Sequence, residues 1–411
     1  MIIKRVEAKK ILDSRNEETI KVTVETSKGK FETSAPSGKS IGKNEARPFS
    51  KNGIDFSINM AVEIGKRIIY EKINIEKFED LEKVEKLVRD MDKTENYEIF
   101  GGNALFALES SLLKAMAAEH KKELWQFLSK GKKSTVLPLG NCIGGGKHID
   151  SDKKPDFQEF LLLPDTKKCS DAQKINNFVY KKAKKLTKSK DKSWDFRQTD
   201  EHAWSPNLSN IEVLDILSKI REKVKNKFKV DLRIGLDIAS SSFYEEGKYN
   251  YITPQNGKNV LDKDEQVNFI LDLIEKYNLY YVEDPIDEED FESFAKLLNG
   301  VKKKNLNCLI CGDDLICTKV ERLKKAIQKN SVNAIIVKPN QNGSLLETKK
   351  VVDLALKNNI IPVISHRSGE TLDNTISHLA IAWQIPIIKT GITGKERLAK
   401  IKEIIRIEKK K

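Results

Sequence analysis

The chain has no run of about 18 apolar residues long enough to cross a membrane. Its first ten residues, MIIKRVEAKK, lack the apolar core of a secretory signal. The expectation is an unprocessed cytoplasmic protein without a membrane partner. Cysteine is sparse and odd in number, at Cys142, Cys169, Cys308, Cys311 and Cys317, which excludes a disulfide scaffold. Cys308 and Cys311 form a C-x-x-C pair within LNCLICGDD. That segment reads as a strand, on which residues three apart point to opposite faces, so the pair reads as core and not as a metal or redox site. Charge of one sign is not lacking: 74 Lys+Arg against 61 Asp+Glu leaves +13. Such an excess invites an anionic partner. No RNA-recognition, KH or zinc-finger signature accompanies it, and no nucleic-acid partner is expected. Residues 181–192, KKAKKLTKSKDK, hold seven lysines with no interleaved aromatics. They read as an exposed helix end and loop.

What is present is enough apolar material for a large core, 39% of 411 residues. At about 150 residues per domain, that length fits two or three domains, or one small domain and a barrel. The segments IIKRVEAKKILDS, TIKVTVETSKG and KFETSAPSG alternate apolar and polar residues and read as strands. Helical spacing follows, most clearly in GGNALFALESSLLKAMAAEH, with Asn103 as the expected N-cap. Residues 1–130 thus read as an α+β domain. In residues 131–411, eight short apolar runs recur: VLPLGNCIG, DFQEFLLLP, LRIGLDIAS, LYYVEDP, NCLICGDD, AIIVKPN, IIPVISHR and IPIIKTG. From the third onward they are separated by helix-sized connections, which points to a (β/α)8-type barrel. The link from the first run to the second is too short for a crossover helix, so the second strand is expected to run antiparallel.

The last six runs end in polar or ionisable residues: Asp237, Glu283, Asp313, Lys338, His366-Arg367-Ser368 and Lys389. Active sites of such barrels lie at the C-terminal ends of the strands. Any one of these residues could be a structural cap; the set is the signal. Three converging carboxylates, Asp237, Glu283 and Asp313, suit Mg²⁺. Lys338, Arg367 and Lys389 form a basic half suited to an anion, with Ser368 adding a hydroxyl. Lys338 follows a wholly apolar strand. Burial, Lys389 and a metal are all expected to lower its pKa and fit it to act as a general base. A metal beside such a lysine suits removal of a proton next to a carboxylate.

The chain resembles the enolase (phosphopyruvate hydratase) family nearly end to end. The matching motifs include APSGKSIGKNEA, GGNALFALESSLLKAMAAE, GGGKH, FQEFLLLP, DEHAWSPN, IGLDIASSSFY, VEDPIDEEDF, CGDDL, VKPNQNGSLLET, SHRSGETLDNT and IKTG, in order. The resemblance implies an N-terminal α+β lid domain and an enolase-type barrel with irregular first strands. It implies Mg²⁺-dependent interconversion of 2-phosphoglycerate and phosphoenolpyruvate, a carbon–oxygen lyase reaction. Asp237, Glu283 and Asp313 would bind a first Mg²⁺, and Ser40 a second that arrives with substrate. Lys338 would take the C2 proton. Glu201 would help expel the C3 hydroxyl, working with Glu159. Arg367 and Ser368 would hold the phosphate and Lys389 the carboxylate. His148 would come from a closing loop, while His366 and Gln158 line the pocket. The family is commonly a homodimer or larger.

Departures from the family pattern cluster in loops. Where its members read SGAST, this chain reads SGKSI, with Lys39 in place of a small residue. GNPT becomes NEET at 16–19, and DEGG becomes Asp200-Glu201-His202-Ala203. The stretch Arg-Ser-Glu-Arg becomes GKER at 394–397. The alternative these leave open is a divergent paralogue acting on another carboxylate acid, with Lys39 and His202 reading it.

Overall fold

The structure, a computed structural model, describes residues 1–39, 42–129, 133–149, 151, 153–255 and 257–410. The chain begins with an antiparallel meander of β1 (Ile3–Leu12), β2 (Glu18–Thr26) and β3 (Gly29–Ser34). Helices α1 (Ile54–Tyr70), α2 (Leu81–Met91), α3 (Gly102–Glu119) and α4 (Leu124–Leu128) follow. Ile20, Val22 and Val24 of β2 are fully buried. Their cover is α3, which touches β2 and β3 on one side and the barrel helices on the other. A helix enclosed in this way must be largely apolar all round, and ALFALESSLLKAMAA is, with buried Glu109 and Ser111 each hydrogen-bonded to a neighbouring segment. Asn103 does not cap it. Gly101 holds the cap position, and Asn103 lies fully buried inside the first turn. Its Nδ2 donates to Pro36 O at 3.1 Å, and its Oδ1 accepts from Asn340 Nδ2 at 2.9 Å. The helix start is packed against other chain segments, and the amide serves that seam instead of the helix amides.

The barrel strands are β4 (Leu137–Gly144), β5 (Glu159–Pro164), β6 (Leu232–Asp237), β10 (Leu279–Glu283), β11 (Leu309–Gly312), β12 (Ala334–Val337), β13 (Ile361–Ser365) and β14 (Ile387–Gly391). They pair in chain order, and β14 pairs β4 to close the ring. As expected, β5 runs antiparallel to both neighbours. Outside the ring lie α5 (Cys169–Lys190), α6 (Asn210–Phe228), α7 (Lys263–Tyr277), α8 (Phe291–Lys303), α9 (Val320–Lys329), α10 (Pro339–Asn342), α11 (Leu345–Lys357), α12 (Thr375–Ala382) and α13 (Lys395–Lys409). Inward-facing Leu139, Leu161, Leu163, Tyr281, Cys311, Ile336 and Val363 fill the barrel with a core of their own. Cys308 belongs instead to the layer between strands and helices, so the C-x-x-C pair faces two sides of one strand.

Two local features differ from the expectation. Between β6 and α7 the chain builds a small antiparallel sheet of β7 (Tyr244–Glu245), β8 (Lys248–Gln255) and β9 (Lys258–Leu261), where a direct helical crossover was expected. Asp156 pins it to the barrel, accepting from Thr253 Oγ1 at 2.7 Å and from the Ile252 amide. The lysine run is also less solvated than it reads. Lys184 lies over Phe196 and Trp204 at 4.7 and 4.9 Å, and Lys188 over Phe196 at 5.0 Å. The aromatics come from a following loop instead of being interleaved, and the lysine stems cover them.

Candidate active site

The C-terminal ends of the parallel strands open into a cleft of about 920 Å³. His148, Gln158, Glu159, Glu201, Asp237, Asp313, Lys338, His366, Arg367, Ser368 and Lys389 all line it. Glu283 lies beneath, fully buried, with its Oε2 accepting from Tyr281 OH at 2.7 Å. Ser40 lies outside the described residues. Each position follows from the fold. Asp237 and Glu283 are the last residues of their strands; Asp313, Lys338 and His366 each come directly after one. Glu159 is the first residue of β5, and only the antiparallel direction of that strand brings it to the same rim.

The cleft is a network of buried charges. Lys389 Nζ donates to Asp237 Oδ2 and to Glu283 Oε1, each at 2.8 Å, and stands 3.4 Å from Glu159 Oε2. Burial pushes the Lys389 ammonium down, yet these three carboxylates outweigh it and hold it well above its ordinary value. Lys338 is treated the same way, which corrects the lowered pKa expected for it. Burial works downward, but Asp313, whose carboxylate its Nζ contacts, holds it above its ordinary value. The carboxylates separate. Burial and Asp237 push Glu283 up to about 8. Burial and Glu201 push Glu159 well up. Burial also works upward on Glu201, but His366 and His148 overcome it and hold Glu201 well below the usual range. Two neighbouring carboxyl groups pushed apart in this way divide into a proton holder and an ion.

Sequence reasoning missed several residues that set this geometry. Arg397 is fully buried. Its NH1 contacts His366 Nδ1 at 2.8 Å and its NH2 donates to Ser368 O at 2.6 Å. A guanidinium only donates, so His366 Nδ1 accepts and the ring proton sits on Nε2, 3.4 Å from Glu201 Oε2. Glu45 pairs with Arg367 at 2.9 Å, and Asn141 Nδ2 donates to Glu201 Oε2 at 3.1 Å. Arg397 and Glu45 sit in the GKER and KNEA motifs, so their proximity in sequence to the loops was the available signal.

The DEHA departure is accommodated. His202 adopts φ 63°, the left-handed region that a glycine would occupy freely, at a cost of about 1 kcal/mol. Its ring lies against Gly394, where any Cβ would stand 2.4 Å from His202 Cδ2. Glycine at 394 is therefore what admits histidine at 202. Tyr180 OH donates to His202 O at 2.6 Å, and the turn is closed by His202 N to Thr199 O at 2.9 Å. Glu201 is thus held in the cleft despite the lost glycines.

A divalent cation fits the residues present. Asp313 Oδ1 is buried with no hydrogen-bond partner among the described residues. Ligand atoms of His148, Glu159 and Glu201 lie within 4.8 Å of one another. Acidic side chains at this density are stabilised by added positive charge.

The sequence comparisons decide the family. The family model for the enolase C-terminal TIM barrel domain matches residues 133–411, and that for the enolase N-terminal domain matches residues 3–128. The chain belongs to the enolase family. The enolase of Methanosphaera stadtmanae is 40% identical over 409 residues, covering 99% of this chain and 97% of that one. The enolase of Methanothermobacter thermautotrophicus is also 40% identical over 409 residues, covering 99% and 96%. That of Archaeoglobus fulgidus is 36% identical over 415 residues, covering 99% and 97%. Enolase-family membership implies a divalent metal and a small phosphorylated carboxylate substrate, and no described helix is long and apolar enough to cross a membrane.

Proposed function

We propose that this cleft dehydrates 2-phosphoglycerate to phosphoenolpyruvate and runs the reverse reaction, as a carbon–oxygen lyase. One observation carries the reading: Lys338 and the Glu159–Glu201 pair face a single cleft floored by the acidic strand ends. Lys338 takes the C2 proton, and the electron pair passes toward the substrate carboxylate. The C3–O bond then breaks, and the hydroxyl leaves as water with a proton supplied through the Glu159–Glu201 pair. His366 orients Glu201. Arg367 and Ser368 hold the phosphate, Lys389 takes the substrate carboxylate, His148 comes from a closing loop, and His366 and Gln158 line the pocket.

The metal would be Mg²⁺, which Asp237, Glu283 and Asp313 would hold, and Ser40 would take a second ion that arrives with the substrate. When bound, it supplies positive charge against the carboxylate on which negative charge grows. To act as the base, Lys338 would have to give up its pairing with the Asp313 carboxylate, which favours the protonated ammonium. Residues 1–130 form the lid over the barrel of residues 131–411, and the working unit is a cytoplasmic homodimer or larger homo-oligomer.

The test is direct. Mixing the protein with 2-phosphoglycerate and Mg²⁺ should give rising absorbance from phosphoenolpyruvate, and Lys338→Ala should abolish it. A folded, Mg²⁺-binding wild-type protein that forms no phosphoenolpyruvate overturns the reading.

A further inference from the structure

Lys39 belongs to the loop that follows β3, and its root is fixed. Ser37 N donates to Gly369 O at 2.7 Å, and Gly369 N returns a bond to Ser37 O at 2.9 Å. Arg15 ties the same loop again, donating to Gly38 O at 3.2 Å and to Ser368 Oγ at 3.3 Å. From this anchored root the Lys39 side chain crosses the cleft mouth. Its Nζ donates to Lys147 O, in the loop that carries His148, at 2.9 Å. It also stands 3.9 Å from Asp200 Oδ2, on the loop that carries Glu201. The far oxygen, Asp200 Oδ1, is 3.8 Å from His148 Nδ1. Both atoms are buried and lack a hydrogen-bond partner among the described residues. They face each other about 1 Å beyond hydrogen-bond distance.

We propose that Lys39 is a positioning residue that straps the His148 loop and the Glu201 loop to the anchored 36–39 segment and aims Asp200 at His148. This rests on the lyase reading of the cleft. A lysine suits the task because its four-carbon stem spans the mouth, and its ammonium can serve a carbonyl and a carboxylate at once. With Asp200 held in place, a shift of about 1 Å completes a His148 Nδ1–H to Asp200 Oδ1 bond. That bond fixes the imidazole tautomer and turns Nε2 away from Asp200. Two catalytic loops then sit in register before substrate arrives, so less ordering is left for binding to supply. The crossing is made by the lysine of this chain's SGKSI loop.

The experiment compares wild type, Lys39→Met, Lys39→Arg, Asp200→Asn and the Lys39→Met/Asp200→Asn double variant, with two readouts. Steady-state kinetics with 2-phosphoglycerate should show Lys39→Met raising KM about tenfold, with a smaller change in kcat. Lys39→Arg should recover most of the loss, and the double variant should be no worse than the poorer single one. Hydrogen exchange of residues 142–149, measured without substrate, should be faster in Lys39→Met and restored in Lys39→Arg, at an unchanged melting temperature. Unchanged KM and unchanged exchange in Lys39→Met overturn the proposal, as does a double variant whose losses multiply. Exchange that responds as stated in a protein that does not turn over 2-phosphoglycerate upholds the strap and overturns the lyase reading alone.

Discussion

Glu109 lies fully buried where α3 meets the start of α11, and its Oε2 accepts the Leu345 amide at 2.7 Å. Burial and the adjacent Glu85 raise its carboxyl well above the ordinary value of 4.5. A raised carboxyl contributes fully below its unfolded value and loses that contribution as pH rises through the folded value. Glu109→Gln keeps the acceptor and abolishes the ionisation. It should raise the melting temperature at pH 8 and leave it nearly unchanged at pH 4, as two calorimetric scans would show. Glu403 has the opposite sign. Burial works upward on it, but Arg406 and His378 prevail and hold it down to about 2. Its contribution is present above 4.5 and lost as pH falls toward 2, so Glu403→Gln should flatten acid unfolding in that window. At this scale the sequence was legible where chemistry is tied to a strand end, as at Lys338. It was not legible where a partner arrives from far along the chain. Neither the pairing of Lys338 with Asp313 nor that of Arg367 with Glu45 can be read from local pattern, and the pairing decided the direction in which Lys338 titrates.

Elements show the same division. Each barrel strand was legible because a buried parallel strand is a short apolar run between turn residues. The antiparallel β5 was legible from the length of a link. The β7–β9 sheet was not, since β7 and β9 are short and half-exposed, and its ties to the barrel come from residues distant in sequence: Asp156, Gln266 on Tyr251 and the Asp287 amide on Tyr249. Asp156 accepts from Thr253 Oγ1 and the Ile252 amide on that sheet and from Asn210 Nδ2 at the start of α6. Asp156→Ala leaves those donors unpaired at a cost of about 1–3 kcal/mol. The expected outcome is a lower melting temperature with hydrogen exchange accelerated in residues 249–255. An exchange pattern identical to wild type would show that the sheet is held by other contacts. Asn103 teaches a complementary point. Its position before an apolar helix reads as a cap, but the helix start is buried, and the amide is used across that seam instead.

Across the whole molecule, the net charge of +13 says little about the cleft, where acids outnumber lysines and arginines. A cation that binds the folded cleft and not the unfolded chain must stabilise the fold. Millimolar Mg²⁺ should therefore raise the melting temperature by a few degrees, and Asp237→Asn should remove the increment without preventing folding. A melting temperature indifferent to Mg²⁺ in the wild type would count against a metal at the strand ends. The ring of strands has one more consequence, for the order in which the chain is made. Its closing seam joins residues 387–391 to 137–141, so the first and last strands of the barrel meet only after the six strands between them have been made. The closing strand carries Lys389, the cation that Asp237, Glu283 and Glu159 share. Until it docks, Asp237, Glu283 and Glu159 lack the cation that they share in the closed ring. Closure and neutralisation are then one event. A chain cut before residue 389 would lose at one stroke the strand that closes the ring and the cation that its acids share.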